Sequence, residues 1–242
     1  MRITIFNGSP RGQKGNTHRM VTEFLKGAED AGAQTENIFL AQKKIHYCLG
    51  CFSCWIKTPG KCAIKDDMQD LLEKYMKSDI VVLASPVYVG SVTGIMKNFI
   101  DRIIPLHDPH FEKNENGIYR HLTRYKTYPK IVLISNCGFP EQAHFEYFRS
   151  VFKYFEFLDS KNNTIIAEIY RGEGELLKVE NIFLKPVLNN YRQLLRKAGG
   201  EIVKNQKLSD ELKAELEKPL IPYDQYVKEA NKSWDEDLKK VV

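Results

Sequence analysis

The 242-residue chain contains no stretch approaching the roughly 18 consecutive apolar residues that a membrane helix needs. Its N-terminus, Met1-Arg2-Ile3-Thr4-Ile5-Phe6-Asn7, alternates like a strand and lacks the long apolar run and cleavage site of a secretory leader. These absences predict a cytoplasmic protein without a membrane partner. Repeats and low-complexity linkers are also missing, so nothing marks the chain as an array or a tethered tail. Charge of one sign is not in strong excess. A net charge of +5 is mild for this length and tolerates acidic or phosphorylated partners without demanding them. Cysteine is scarce, with five in all, yet four of them form Cys48-x2-Cys51-x2-Cys54-x7-Cys62. In a reducing compartment such a group reads first as metal-binding or catalytic, and only later as a disulfide framework.

What is present is an alternation of β-rich runs with helical patterns over the first 170 residues, the mark of a parallel sheet covered on both faces. Strands are predicted at Arg2–Asn7, Gln34–Leu40, Asp79–Ser85, Lys130–Asn136 and Asn163–Tyr170. Ile80-Val81-Val82-Leu83-Ala84 and Ile131-Val132-Leu133-Ile134 are continuously apolar, as strands buried on both faces are. Helices are predicted at Asn16–Ala31, Asp67–Lys77, Thr93–Ile103 and Gln142–Phe157. A longer one spans Lys178–Lys197, kinked or broken at Pro186 and stopped at Gly199-Gly200. The expected fold class is α/β, a flavodoxin-like doubly wound five-stranded parallel sheet in the order 2-1-3-4-5. Residues 1–200 form that domain, with a cysteine-rich insertion at 44–66 and a long loop at 104–129. Residues 201–242 are read as accessory C-terminal helices, Leu208–Lys218 and Tyr223–Lys239.

Directly after the first strand runs Gly8-Ser9-Pro10-Arg11-Gly12-Gln13-Lys14-Gly15-Asn16-Thr17, leading into the first helix. In an open α/β sheet a ligand sits at the carboxyl ends of the strands, and a helix N-terminus there offers N–H groups to an anion. Ser9, Asn16 and Thr17 add short polar side chains and Arg11 adds charge, so the loop reads as a phosphate site rather than an ordinary turn. It holds neither Gly-x-x-x-x-Gly-Lys-Ser/Thr nor Gly-x-Gly-x-x-Gly, which argues against a nucleoside triphosphatase and a dinucleotide Rossmann site.

Gly8-Ser9-Pro10-Arg11…Gly15-Asn16-Thr17, then Ser85-Pro86-Val87-Tyr88-Val89-Gly90-Ser91-Val92, then Met96-Lys97-Asn98-Phe99-Ile100-Asp101-Arg102 occur in that order. Together they resemble the NADPH-dependent FMN reductase branch of the flavodoxin-like proteins. The resemblance implies FMN, with its phosphate held by Ser9, Arg11, Asn16 and Thr17. Its ring would be lined by Pro86, Val87, Tyr88, Val89 and Gly90. Asn136 and Gly138, which end the fourth sheet strand, could close the pocket. Asp101 and Arg102 read as a helix-surface pair or a dimer contact, outside the site.

Beside a flavin, the cysteine segment resembles the insertion of iron–sulfur flavoproteins, which implies Cys48, Cys51, Cys54 and Cys62 as ligands of a [4Fe–4S] cluster. Two-residue spacings can wrap three corners of a cubane, and Cys62 returns after Pro59-Gly60. Zinc fits less well, because its structural sites use two separate Cys-x-x-Cys knuckles. Unpaired structural thiols stay open as a reading, since reductases of the wider family carry a similar segment without a cluster. Cys137 reads as a small buried hydrophobe.

His107-Asp108-Pro109-His110 reads as a solvated loop, and the run from Tyr119 to Lys130 as a basic loop rather than a nucleic-acid surface. The dense aromatic helix with Phe145, Tyr147, Phe148, Phe152, Tyr154 and Phe155 reads as packing against the sheet or a partner subunit. The expected function is an FMN-dependent oxidoreductase moving electrons from NAD(P)H to a quinone or other small acceptor. The alternative is an electron carrier fed by ferredoxin through the cluster. No catalytic acid or base is required. The resemblance also implies a homodimer or homotetramer.

Overall fold

The computed structural model describes residues 1–115, 117–158 and 164–240. Its strands are Arg2–Asn7 (β1), Gln34–Phe39 (β2), Ile80–Pro86 (β3), His107–Lys113 (β4), Tyr119–Thr123 (β5), Lys130–Asn136 (β6) and Ile165–Arg171 (β7). Its helices are Asn16–Asp30 (α1), Ser53–Ile56 (α2), Met68–Met76 (α3), Gly94–Asp101 (α4), Glu146–Leu158 (α5), Lys185–Asn205 (α6), Asp210–Glu217 (α7) and Tyr223–Lys239 (α8). Five strands form one parallel sheet in the order β2-β1-β3-β6-β7, which is the expected doubly wound topology. The predicted start of the last strand at Asn163 lies outside the described residues.

Successive strand residues point to opposite faces, so each apolar strand serves two cores. Ile80, Val82 and Ala84 of β3 join Ile3 and Ile5 under α1, α6 and α7. Val81 and Leu83, with Phe6, Ile131 and Leu133, pack instead beneath α3, α4 and α5. The aromatic helix is thereby explained: Phe145, Phe148, Phe152 and Phe155 are buried, while Tyr147 and Tyr154 stay exposed. Among the described residues, no helix is long and apolar enough to cross a membrane.

Two expectations are corrected. The predicted stop at Gly199-Gly200 is not a stop, because α6 runs through both glycines to Asn205. Glycine serves close approach there instead: a Cβ on Gly199 would lie 2.0 Å from the Phe24 carbonyl oxygen, and one on Gly27 would lie 1.8 Å from that of Arg196. Helices α1 and α6 meet backbone to backbone at this crossing. Pro186 sits in the first turn of α6, where its missing N–H costs nothing.

The second correction is the 104–129 loop, most of which is an antiparallel hairpin of β4 and β5. The Trp55 indole of α2 donates to the carbonyl oxygens of Ile104 (3.2 Å) and His107 (2.9 Å), so the hairpin and the cysteine segment brace each other. Both arginines of the run are structural: Arg124 donates to the carbonyl oxygens of Pro105 and His107, and Arg120 pairs with Glu112. His107 is not part of a solvated loop, since burial, helped by His121 and Arg124, pushes its imidazole down to about 4.

His107 makes a pH prediction. Between about 4 and the unfolded value near 6.5, the unfolded chain binds a proton that the folded chain refuses, so this stability is full above the unfolded value and is lost as pH falls. A loss of about 2 kcal/mol is expected between pH 7.5 and 4, after allowing for partial exposure. Urea unfolding of the wild type and His107→Gln at both pH values checks this. An equal pH dependence in the two proteins would contradict it.

Helix α7 and the turn after it are built into the body, whereas α8 buries only Tyr226. Leu212, Leu216 and Leu220 belong to the core beneath α1 and α6. Glu173, fully buried, accepts from the backbone N–H groups of Leu220 (2.8 Å) and Ile221 (3.3 Å), and Arg171 donates to the Lys218 carbonyl (2.8 Å).

Candidate functional site

The loops after β1, β3, β6 and β7 leave the sheet on one edge and are tied to one another. Gly8 N–H donates to the Ala84 carbonyl (2.8 Å), and the Thr93 hydroxyl donates to the Gly8 carbonyl (2.7 Å). Thr93 N–H donates to Ser85 Oγ (3.1 Å), while Thr93 Oγ1 accepts from Met96 N–H and so caps α4. Val87 N–H donates to the Asn136 carbonyl (2.9 Å), and Asn136 Nδ2 donates to Thr17 Oγ1 (2.7 Å). Thr17, Asn136 and Val87, far apart in sequence, are therefore consecutive in space.

Ser9, Asn16 and Thr17 are buried at the start of α1. Gly15, the N-cap, supplies no side-chain bond and its carbonyl takes the N–H groups of His18 and Arg19, so those of Asn16 and Thr17 are left for an anion. Gly15 also passes close to Ser9, whose Oγ would lie 2.5 Å from a Cβ at that position. Asn7, wholly buried at the end of β1, has an Nδ2 with no partner. Buried hydroxyls, an uncapped helix start and an unspent amide are the donor set a phosphate requires, so the loop fits the FMN phosphate. Arg11 is exposed and faces Glu175 at 3.5 Å, and the same carboxylate accepts from Asn16 Nδ2 at 3.3 Å.

After β3 and Pro86, Tyr88 and Ser91 exchange backbone hydrogen bonds of 2.8 and 3.0 Å across a two-residue turn. Val89 and Gly90 there have φ of 48° and 76°. Glycine suits that conformation, whereas a β-branched residue in it is strained. Val89 is fully exposed at the tip and Tyr88 is exposed beside it. Gly138 accepts at its carbonyl from Tyr226 of α8 (2.6 Å), which brings the C-terminal helix to this edge. Burial, followed by the Glu175 and Glu173 carboxylates, pushes the Tyr226 phenol up to about 12.

All four cysteines of the segment line one small pocket, together with Leu49, Ile64 and Arg102. They are free thiols: Cys54 is buried, Cys48 and Cys62 half-buried, and Cys51 exposed. Burial, then the neighbouring Cys62, pushes the Cys54 thiol up, whereas hydrogen bonds from Ser53 hold that of Cys51 down. Among the described residues no three His, Cys, Asp or Glu side chains are grouped closely enough for a single metal ion. A cubane spreads its four thiolates wider than one ion does, and four thiols around one pocket are the donor chemistry it takes.

Asp101 and Arg102 are not the surface pair the sequence suggested. Asp101 pairs with Lys97, but Arg102 is buried and bidentate to Asp66 at 2.8 and 3.0 Å. Burial pushes the Asp66 carboxyl up, but Arg102 and the N–H groups of His46 and Met68 outweigh it and hold the group below its ordinary value. Cys137 is buried as expected, and burial pushes its thiol up to about 11. His110 is exposed and pairs with Asp108 at 2.6 Å.

Every predicted flavin-site residue thus lies on one sheet edge. Ser85, Thr93, Glu175 and Tyr226 also stand there and were missed. Thr93 had a local signal, a Thr before a helix start; Glu175 and Tyr226 had none, because the chain returns them to this edge only in three dimensions.

Residues 1–116 match the family model described as NADPH-dependent FMN reductase. An iron–sulfur flavoprotein of Archaeoglobus fulgidus is 39% identical over 137 residues, 56% of each chain. Another, from Methanocaldococcus jannaschii, is 42% identical over 106 residues, 44% of this chain and 53% of the relative. The chain thus spans about half the length of the curated relatives it matches. An FMN-dependent NADH-azoreductase from Bacillus anthracis, solved with FMN, superposes with a TM-score of 0.60 at 15% identity, covering 84% of this chain and 99% of that one. An NAD(P)H:quinone oxidoreductase from Methanothermobacter marburgensis gives 0.57 at 14% identity, covering 86% and 97%. At such identities the structural likeness speaks for the fold.

Proposed function

We propose, from the match of residues 1–116 to the family model described as NADPH-dependent FMN reductase, that this chain is an FMN-dependent oxidoreductase that carries electrons from NAD(P)H to a quinone or another small acceptor. The observation that supports this most is the hydrogen-bonded line from Thr17 through Asn136 to Val87, which joins the phosphate loop to the ring loop. Bound FMN supplies the hydride and electron chemistry. The chain's residues bind and orient. Ser9, Asn16, Thr17 and the backbone N–H groups of Asn16 and Thr17 hold the phosphate, with Arg11 adding charge at the rim. Pro86, Val87, Tyr88, Val89 and Gly90 form the wall against the ring, and Asn136 and Gly138 close its far side. No side chain is assigned an acid–base step. A homodimer or homotetramer belongs to the same proposal, since Tyr88, Val89 and Tyr147 leave the ring side exposed.

A second reading is an iron–sulfur flavoprotein that takes electrons from ferredoxin through a [4Fe–4S] cluster. It is favoured by the four cysteines around one pocket and by the relatives that carry that name. In it Cys48, Cys51, Cys54 and Cys62 are the ligands, and the cluster supplies one-electron transfer.

Anaerobic purification followed by assays of released flavin, iron and acid-labile sulfide tests both. Stoichiometric FMN is expected. Protein that binds no flavin would sink both readings. About four iron and four sulfide per chain would establish the second, whereas FMN without iron, with steady NAD(P)H oxidation, would establish the first.

A further inference from the structure

The cysteine segment leaves the body at His46 and rejoins it at Asp66, and one side chain from α4's end holds both points. Arg102 Nη1 donates to the His46 carbonyl (2.7 Å), while Nη1 and Nη2 take the two oxygens of Asp66 at 2.8 and 3.0 Å. The guanidinium is 1% exposed and the carboxylate 0%. Asp66 is fixed in turn by the backbone N–H groups of His46 and Met68, each at 3.0 Å. A surface loop needs no such anchor, and a buried ion pair is weak evidence for stability by itself. The same guanidinium lines the pocket of the four thiols. Its Nε–H is buried with no hydrogen-bond partner, and Cys62 lines the same pocket as Arg102.

We propose that Arg102 is the positioning residue of the cysteine group: with Asp66 it closes segment 46–66 into a fixed frame, and its unpartnered Nε–H is left on the pocket of the four thiols to donate to a sulfur of a bound cluster. This rests on the iron–sulfur reading above. Four thiolates concentrate negative charge on a cluster, and the Arg102–Asp66 pair, with Arg102 and not Asp66 on the pocket lining, turns its positive end toward it. Hydrogen bonds to cluster sulfurs and local charge set the reduction potential. Arginine suits the task where lysine does not, because its planar fork satisfies Asp66 and His46 together and still leaves an N–H over.

The test uses the full chain with Arg102→Lys, which keeps the charge but loses the fork, and the double variant Arg102→Gln/Asp66→Asn. The double variant replaces the ion pair by a neutral hydrogen-bonding one, so no uncompensated buried charge threatens the fold. Iron and sulfide content, midpoint potential in a dye-mediated titration and the rate of iron loss to a chelator are measured, with circular dichroism and melting as folding controls. Both variants are expected to fold and to lose iron about tenfold faster than wild type. The double variant should also show a more negative potential. Folded variants with wild-type iron, potential and loss rate would overturn the proposal while leaving the iron–sulfur reading standing. Wild-type protein without iron or sulfide after anaerobic reconstitution would remove both.

Discussion

Replacing Thr17 with valine is expected to weaken FMN binding roughly 10- to 100-fold and to leave riboflavin binding little changed. Thr17 is buried at the first turn of α1, and valine keeps its shape while removing the hydroxyl. A hydrogen bond to a charged group is worth about 1.5–3 kcal/mol, and the loss is charged only to a ligand that carries the phosphate. The variant also strands Asn136 Nδ2, whose acceptor is Thr17 Oγ1 at 2.7 Å. That change reaches the ring loop through Val87, so a small common effect on both flavins is expected beneath the large difference. Fluorescence titration of apoprotein with FMN and riboflavin measures the two affinities side by side. Equal weakening of both would mean that the phosphate lies elsewhere.

Gly199→Ala is expected to destabilise the fold by about 3 kcal/mol or more, and Gly27→Ala by at least as much. The added methyl would meet backbone at both positions: the Phe24 carbonyl at 2.0 Å and the Arg196 carbonyl at 1.8 Å. Backbone in the middle of a packed helix cannot step aside as a side-chain tip can, so α1 and α6 would have to separate. Gly200→Ala is the matched control. Its methyl would meet the Gly27 carbonyl oxygen at 3.6 Å, an ordinary contact, and alanine is the better helix former by about 0.5–1 kcal/mol. Urea midpoints for the three variants should therefore place Gly200→Ala at or above wild type and the other two far below. If Gly199→Ala behaves like Gly200→Ala, the close crossing of α1 and α6 is wrong.

The same glycines show how far local reading reaches. Gly199-Gly200 carries the local signal of a helix end, and that signal is sound for an isolated segment. Here the partner helix needs backbone contact at this spot, and tertiary packing outweighs local preference. The strands were legible for the opposite reason. A strand buried on both faces must be apolar through its centre, so β3 and β6 announce themselves in runs of five and four residues. Pairing of β4 with β5 was hidden, because the run mixes Pro109, histidines and charges and its partner is fixed only by register.

The candidate site divides along the same line. The proposed phosphate loop is contiguous: Ser9, Asn16 and Thr17 lie within one turn-and-helix start, so its polar residues were legible in sequence. The ring loop after β3 was equally local. Neighbours across the edge were a tertiary matter. Asn136 bonds Thr17 over 119 positions, and Glu175 reaches Asn16 over 159. No periodicity or spacing encodes such pairs; they follow from which strands the sheet places side by side.

For the cysteines, sequence determined that four thiols lie close together along the chain. Only the folded structure turned them toward one pocket and set Arg102 on its lining, anchored by Asp66 36 positions away. The physical reason is burial. A charged arginine at a helix end reads as solvated from its neighbours in sequence, and it becomes a buried anchor only when a carboxylate from a distant segment comes to meet it.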